Sequence, residues 1–246
     1  MFEKRLKSEG QQLYISKHRE TLAREKQEEL RRKENPVMPE RQDLKESKSP
    51  ESHRSLKDII EQLSIDGDYE KREEACGLLR DYPDCSFLSI LKRLLQDRNY
   101  LVQIEAIEAA GAYGFANVSH EVETLFSSIH PLVRGYAYAF YCDNCPDKEE
   151  ARRVLSVINE KNTWARINLN VSLFILGEEW KLDELLRNYY RWNYRNQIVL
   201  LNSLSFFYDE LQNKDKRKIK SFLEKHRHDE RGRAVEEAFR RLEEME

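Results

Sequence analysis

Polar and apolar positions repeat along this chain with two nested periods. Within short stretches, apolar residues fall three, four and seven apart, the spacing of one face of an α-helix. On a longer scale the same kind of stretch returns about every 31 residues. An arginine or glutamine marks each return: Arg72, Gln103, Arg134, Arg166, Gln197 and Arg231, with gaps of 31, 31, 32, 31 and 34 residues. Small or apolar residues follow most marks at +3, +4 and +7: Ala75, Cys76, Leu79; Ala106, Ile107, Ala110; Leu169, Asn170, Leu173; Leu200, Leu201, Leu204; Ala234, Val235, Ala238. The Arg134 copy carries Ala137, Tyr138 and Tyr141. A fixed period of this length marks stacked units, none of which can bury its apolar face alone.

Each mark predicts a first helix, and the remainder of each unit predicts a second. Turn residues separate the two: Tyr82-Pro83-Asp84, Gly114 to Asn117, Asp143 to Pro146, and Gly177. Glycine and proline do not readily continue a helix, and Asp, Asn and Ser satisfy the free N–H groups at the next helix start. The second stripes are Leu91, Leu94, Leu95; Val122, Leu125, Phe126, Ile129; Ala151, Val154, Leu155, Ile158; Leu182, Leu185, Leu186, Tyr189; and Ile219, Phe222, Leu223. Ser55 and Asp58 have capping-box-like spacing ahead of Leu56, Ile59, Ile60 and Leu63, which predicts the second helix of an incomplete first unit. At the other end, residues 231–245 are expected to bury Ala234, Val235, Ala238 and Leu242 on one side and to present charges on the other, as a terminal unit requires.

The polar-x-x-[small or apolar] mark, as in Leu132-Val133-Arg134-Gly-Tyr-Ala137, resembles that of the HEAT repeat family, and within it the short bacterial form also seen in phycobilin-lyase-like proteins. The resemblance covers about residues 55–245. It implies an all-α fold: a right-handed α-solenoid of about six stacked helical hairpins, a HEAT/armadillo-like superhelix. The tetratricopeptide signature does not fit these copies. The resemblance brings no catalytic residue with it and implies binding of another macromolecule.

Composition sharpens the class. Of 246 residues, 35% are charged, the net charge is −3 and the mean hydropathy is −0.82. No apolar stretch approaches the roughly 20 residues needed to span a bilayer, and the first residues are charged where an export signal has an apolar core. A cytoplasmic protein with four reduced cysteines is expected. Residues 1–52 differ from the rest. Apolar residues are sparse there, helix formers and opposite charges four apart occupy 20–33, and Pro36, Pro39 and Pro50 punctuate 35–52. A charged tail and linker, disordered or carrying a single helix, is expected ahead of a repeat domain at 53–246.

Chemistry-bearing motifs are few. Cys142-Asp-Asn-Cys145 is a CxxC, and Pro146 could open a helix that would lower the Cys145 thiol pKa. A thioredoxin-like site belongs beside a βαβ unit, and structural zinc wants a second cysteine pair, so an inter-helix turn is the expected role. The six histidines form no His-x-x-x-His pair, and no phosphate loop or nucleophile elbow occurs. No cofactor or metal is implied, and no catalytic residue is assigned.

Two surface features point to binding. Residues 187–195, Arg-Asn-Tyr-Tyr-Arg-Trp-Asn-Tyr-Arg, interleave four aromatics with three arginines, the mixture enriched in interface hot spots and able to stack on bases. Tyr190, Trp192 and Tyr194 are the candidates there, with core and turn packing as the alternative. The second feature is a basic row on the predicted outward positions of second helices: Lys92, Arg93, Arg152, Arg153, Arg187, Arg191, Arg217, Lys218 and Lys220. Glu73, Glu74, Glu105 and Glu108 sit on first helices and suggest an acidic back. The leading expectation is a non-catalytic scaffold gripping an acidic protein segment on a concave second-helix face. Two alternatives are a HEAT-like nucleic-acid-binding protein related to DNA glycosylases, and a phycobilin-lyase-like enzyme. A pI near 6.2 weighs against nucleic acid.

Overall fold

The computed structural model of the protein describes residues 56–206, 211–226 and 240. These residues contain eleven α-helices, and no strand occurs among them. In chain order they are α1 (Leu56–Ser64), α2 (Tyr69–Asp81), α3 (Leu88–Leu95), α4 (Tyr100–Ala110), α5 (Phe115–Thr124), α6 (Pro131–Asn144), α7 (Lys148–Ser156), α8 (Thr163–Ile175), α9 (Trp180–Asn188), α10 (Tyr194–Phe206) and α11 (Asn213–His226). The expected tail at 1–52, the cap at Ser55, the mark Arg231 and the terminal stripe through Leu242 lie outside the described residues. No helix among the described residues is long and apolar enough to cross a membrane.

The 31-residue period is visible in the helices themselves. The first helices α2, α4, α6, α8 and α10 begin at residues 69, 100, 131, 163 and 194, so their intervals are 31, 31, 32 and 31. Every mark is the fourth residue of its helix: Arg72, Gln103, Arg134, Arg166, Gln197. Each start has a local cause. Asp68, Asn99 and Asn162 accept hydrogen bonds from the first-turn N–H groups of α2, α4 and α8, and Asn193 accepts one from Asn196 N. At α6 a proline at the first helical position needs no such partner. The α8 end is equally local. Gly177, at φ 99°, turns the chain so that its N–H donates to Phe174 O and the Glu178 N–H to Leu173 O, a Schellman closure.

Successive first helices pack on one another, α2 on α4, α4 on α6, α6 on α8 and α8 on α10. The first helices α2, α4, α6 and α8 also touch their neighbouring second helices, so α4 and α8 are buried on nearly all sides. Small residues permit the close approach: a Cβ on Gly135 of α6 would lie 2.3 Å from Cζ3 of Trp164 at the start of α8. The core follows this order as three adjoining clusters, one from α1 to α6, one from α6 to α8, and one from α8 to α11. The first-helix residues expected inside are buried in all five described copies. The second stripes depart from expectation at Leu56 and Ile59 of α1, each 37% exposed, and at Ile129. A 3-10 turn at Leu125–Ser127 ends the helix early, and Ile129 falls in the following loop at 87% exposure.

Two marks carry a charged tie between consecutive units. Arg72 Nε and Nη2 donate to Asp97 at 2.7 and 3.0 Å, while its Nη1 donates to the backbone oxygens of Asp66 and Gly67. Arg134 repeats the arrangement. Its Nε and Nη2 donate to Glu160 at 2.7 and 2.8 Å, and Nη1 donates to Ser128 O. Asp97 and Glu160 both stand three residues before the next first helix, and each accepts the backbone N–H two residues on, at Asn99 and Asn162. One fork thus joins a helix, its own leading loop and the loop of the next unit. Tyr138 also donates to Glu160, at 2.9 Å. Burial would raise the Glu160 carboxyl, but the bonds from Arg134, Asn162 N and Tyr138 outweigh it and hold its pKa below the ordinary carboxylate value. Asp97 is lowered in the same way, burial being outweighed by Arg72 and Asn99 N.

Stability should therefore reside in core contacts and in these ties. Leu173→Ala, at a buried site between α6 and α8, is expected to cost roughly 2–5 kcal/mol. Val157→Ala, at 82% exposure, should change stability by less than about 0.5 kcal/mol. Equal denaturation midpoints for the two would contradict this burial. Glu160→Ala leaves Arg134 unpaired with its side chain only 16% exposed, an expected cost of about 3 kcal/mol at neutral pH. Because the folded Glu160 pKa is depressed, this contribution is present above the unfolded value near 4.3 and is lost as pH falls through the folded value. Thermal melts of the variant and the natural protein should differ most at pH 7 and converge in acid. A gap that stays constant to pH 2 would mean the charge contributes nothing.

Candidate functional site

The sides of the second helices facing away from the core do carry the basic residues expected there, but four of the nine are neutralised by a neighbouring acid. Lys92 pairs with Glu121 at 2.9 Å, and Arg93 Nη2 donates to Ser64 Oγ at 2.7 Å. Arg152 and Arg153 on α7 pair with Glu149 and Glu150, one turn earlier on the same helix. Lys218 pairs with Asp183, Arg217 Nε donates to Asn213 O, and Lys220 is half-buried. A continuous positive row is therefore not what this surface presents. Arg187 and Arg191 differ: both are exposed, and neither has a hydrogen-bond or ion-pair partner among the described residues.

The acidic back is corrected as well. Glu105 is buried, and Glu108 is nearly so, because both face α2 across the α2–α4 contact, where Arg80 Nη1 lies 4.0 and 3.7 Å from their carboxylates. Glu73 shares this pocket of charge. Burial, then the charges of Glu105 and Glu70, push its carboxyl up to about 7. Only Glu74 of the four is exposed. Cys142 and Cys145 are both buried and free, and Cys145 closes α6 while α7 opens at Lys148 on the Asp147 cap. The Cys145 thiol therefore does not sit at a helix N-terminus. No His/Cys/Asp/Glu group suited to a metal occurs among the described residues.

The surface that gathers unspent binding chemistry lies between α9 and α11. Trp180, Asp183, Arg187 and Tyr190 recur three and four residues apart on α9 and the 3-10 turn after it, Tyr189–Arg191. Phe222 and Lys225 face them from α11, and together with Leu186 these residues line a cleft of about 520 Å³. Its floor is apolar and firm: Tyr189, fully buried beneath, meets the rings of Tyr190 and Phe222 edge-on at 5.3 and 5.2 Å. Its rim is open, with Trp180 at 58% and Tyr190 at 41% exposure. Lys181 Nζ sits 4.0 Å from the Trp180 ring, and two ion pairs, Asp183–Lys218 and Glu179–Lys214, lace α9 to α11. Arg187 and Lys225 remain as cations with no partner among the described residues.

Of the aromatic-arginine run at 187–195, the fold brings only Arg187 and Tyr190 into the cleft. Trp192 packs against the core cluster of α8 to α11, as the packing alternative expected. Tyr194 is half exposed at the first position of α10, away from the cleft lining. Sequence reasoning missed Trp180 and Lys225. The available signal was a tryptophan just outside the Leu182, Leu185, Leu186 stripe, since so large an apolar residue off the core face is exposed for a reason or paired elsewhere. Comparison with protein-family models, curated proteins and solved structures returns no match.

The Glu73 carboxyl gives a check on the acidic interface. A raised folded pKa means its favourable contribution is present below the unfolded value near 4.3 and is lost as pH rises through about 7. Glu73→Gln should therefore stabilise the protein more at pH 8 than at pH 5 in thermal melts. An equal effect at both values would show that neither burial nor the charges of Glu105 and Glu70 raise the Glu73 carboxyl.

Proposed function

We propose that the protein is a non-catalytic scaffold that captures an acidic segment of another protein in the α9–α11 cleft. The single observation that carries this reading is the conjunction of exposed Trp180 and Tyr190 with Arg187 and Lys225, two cations with no internal partner, around a rigid apolar floor. Aromatics and arginine concentrate interface energy, and unpaired cations favour and steer a segment bearing carboxylates. An apolar side chain of the partner fits against Leu186 and Phe222 while its acidic neighbours reach Arg187 and Lys225. The architecture supports the role: serial packing of five first helices at intervals of 31 or 32 residues is what a HEAT-like α-solenoid provides, and such a stack exposes a long face without altering its core. The charged composition supports a cytoplasmic setting. Neutralisation of Lys92, Arg152, Arg153 and Lys218 weighs against nucleic acid, which needs a broad positive field.

The test is affinity purification from the native cell, with and without nuclease, using the natural protein and two double variants. Trp180→Ala/Arg187→Glu should keep its thermal midpoint and lose at least about tenfold in partner capture, since buried aromatic and arginine anchors carry ~2 kcal/mol or more. Arg152→Glu/Arg153→Glu should capture the partner undiminished, because those arginines answer to Glu149 and Glu150. Capture that survives the first variant and fails in the second would move the site to α7. Loss of all capture on nuclease treatment would replace the reading with nucleic-acid binding.

A further inference from the structure

The loops that lead into the first helices follow a shared template with one anomaly. The third residue before each first helix is Asp66, Asp97, Ser128, Glu160 and Arg191 in succession. The first four act alike, each accepting the backbone N–H two residues on: Asp68 N at 2.9 Å, Asn99 N at 2.8 Å, His130 N at 3.3 Å and Asn162 N at 2.7 Å. Two of these positions also accept the guanidinium fork of the preceding unit's mark, giving the bidentate ion pairs Arg72–Asp97 and Arg134–Glu160. At the junction between them Gln103 and Ser128, both neutral, hold the same two positions. The positions in the same register at the next junction are Arg166 and Arg191.

An arginine has no acceptor and cannot replace a carboxylate or hydroxyl here. Arg166 is half-buried and Arg191 is exposed, and neither has a hydrogen-bond or ion-pair partner among the described residues. The α8–α10 junction is otherwise well packed, Ile167 and Val171 sharing one core cluster with Leu200 and Leu204. So the helix positions are kept while the anion is missing.

We infer that Arg166 and Arg191 form a receptor for one external carboxylate, an Asp or Glu side chain of the captured protein segment, which occupies the place that Asp97 and Glu160 fill internally. The identity of the ligand's owner rests on the scaffold reading; the carboxylate chemistry of the site rests on the couples alone. Guanidinium forks match a planar carboxylate in two-bond geometry, as the other two arginine marks show within this chain.

The experiment uses the full chain with isotope-labelled arginine side chains, reading the Nε–Hε resonances assigned through Arg166→Gln and Arg191→Gln. A hexaglutamate peptide is the probe, with inorganic phosphate in a parallel titration. The peptide should shift the Arg166 and Arg191 signals together. Arg191→Glu should move the Arg166 signal towards those of Arg72 and Arg134, raise the melting midpoint by about 2–4 °C, and abolish the response of Arg166 to the peptide. Arg166→Gln, the residue type found at positions 103 and 197, should remain folded and lose the peptide response at Arg191. The inference is overturned if the peptide moves neither signal, if phosphate moves them and the peptide does not, if Arg191→Glu leaves both Arg166 and the midpoint unchanged, or if Arg191 responds equally without Arg166. Failure of the cleft variants to alter partner capture would leave all four readouts untouched, so the two readings are separable.

Discussion

Two junctions, α2–α4 and α6–α8, depend on one electrostatic constraint: a guanidinium on the fourth residue of a first helix finds its acceptors in two loops at once. Arg72 and Arg134 meet it by gripping the carbonyls that lead into their own helix and the carboxylate that leads into the next. Because that carboxylate also holds the N–H two residues on, the loop cannot shift without breaking several charged bonds. The apolar contacts make neighbouring helices adhere, but they are tolerant of sliding. The forks are directional and fix the register in which the helices adhere. This is the physical reason for an arginine at the marks 72 and 134.

Much of this was legible in the chain before its structure. The marks located the starts of five helices, since a polar residue with apolar partners at +3, +4 and +7 can only be the edge of a buried face, and Ala75 through Leu204 are buried accordingly. The partners of the marks were not legible. They lie 25 or 26 residues away, alternate between Asp and Glu, and are hidden in a chain where about a third of the residues are charged. Burial of Glu105 and Glu108 was also hidden. Helical periodicity reports one apolar face, whereas a helix packed on both sides by its own kind can enclose carboxylates when an arginine such as Arg80 stands opposite.

The candidate site was half legible for a related reason. Composition and spacing found Arg187 and Tyr190, but they also gathered Lys92, Arg152, Arg153 and Lys218, whose charges are answered by Glu121, Glu149, Glu150 and Asp183. A row of cations read along helices says nothing about the acids that reach them from one turn back or from the next helix. What distinguishes a binding cation from a solvated one is the absence of such an answer. By that criterion the region around α9 and its following loop concentrates the unanswered charge.

The couples between successive units also bear on how the molecule comes apart in acid. Charged forks tie α2 to α4 and α6 to α8, through Arg72–Asp97 and Arg134–Glu160, while the neutral Gln103 and Ser128 hold the same positions at α4–α6. Protonation weakens both forks. At α2–α4 it also relieves the Glu73 carboxyl, which burial and the charges of Glu105 and Glu70 hold up to about 7. Acid therefore acts on the two tied junctions unequally, and the α6–α8 junction is where it meets no such relief.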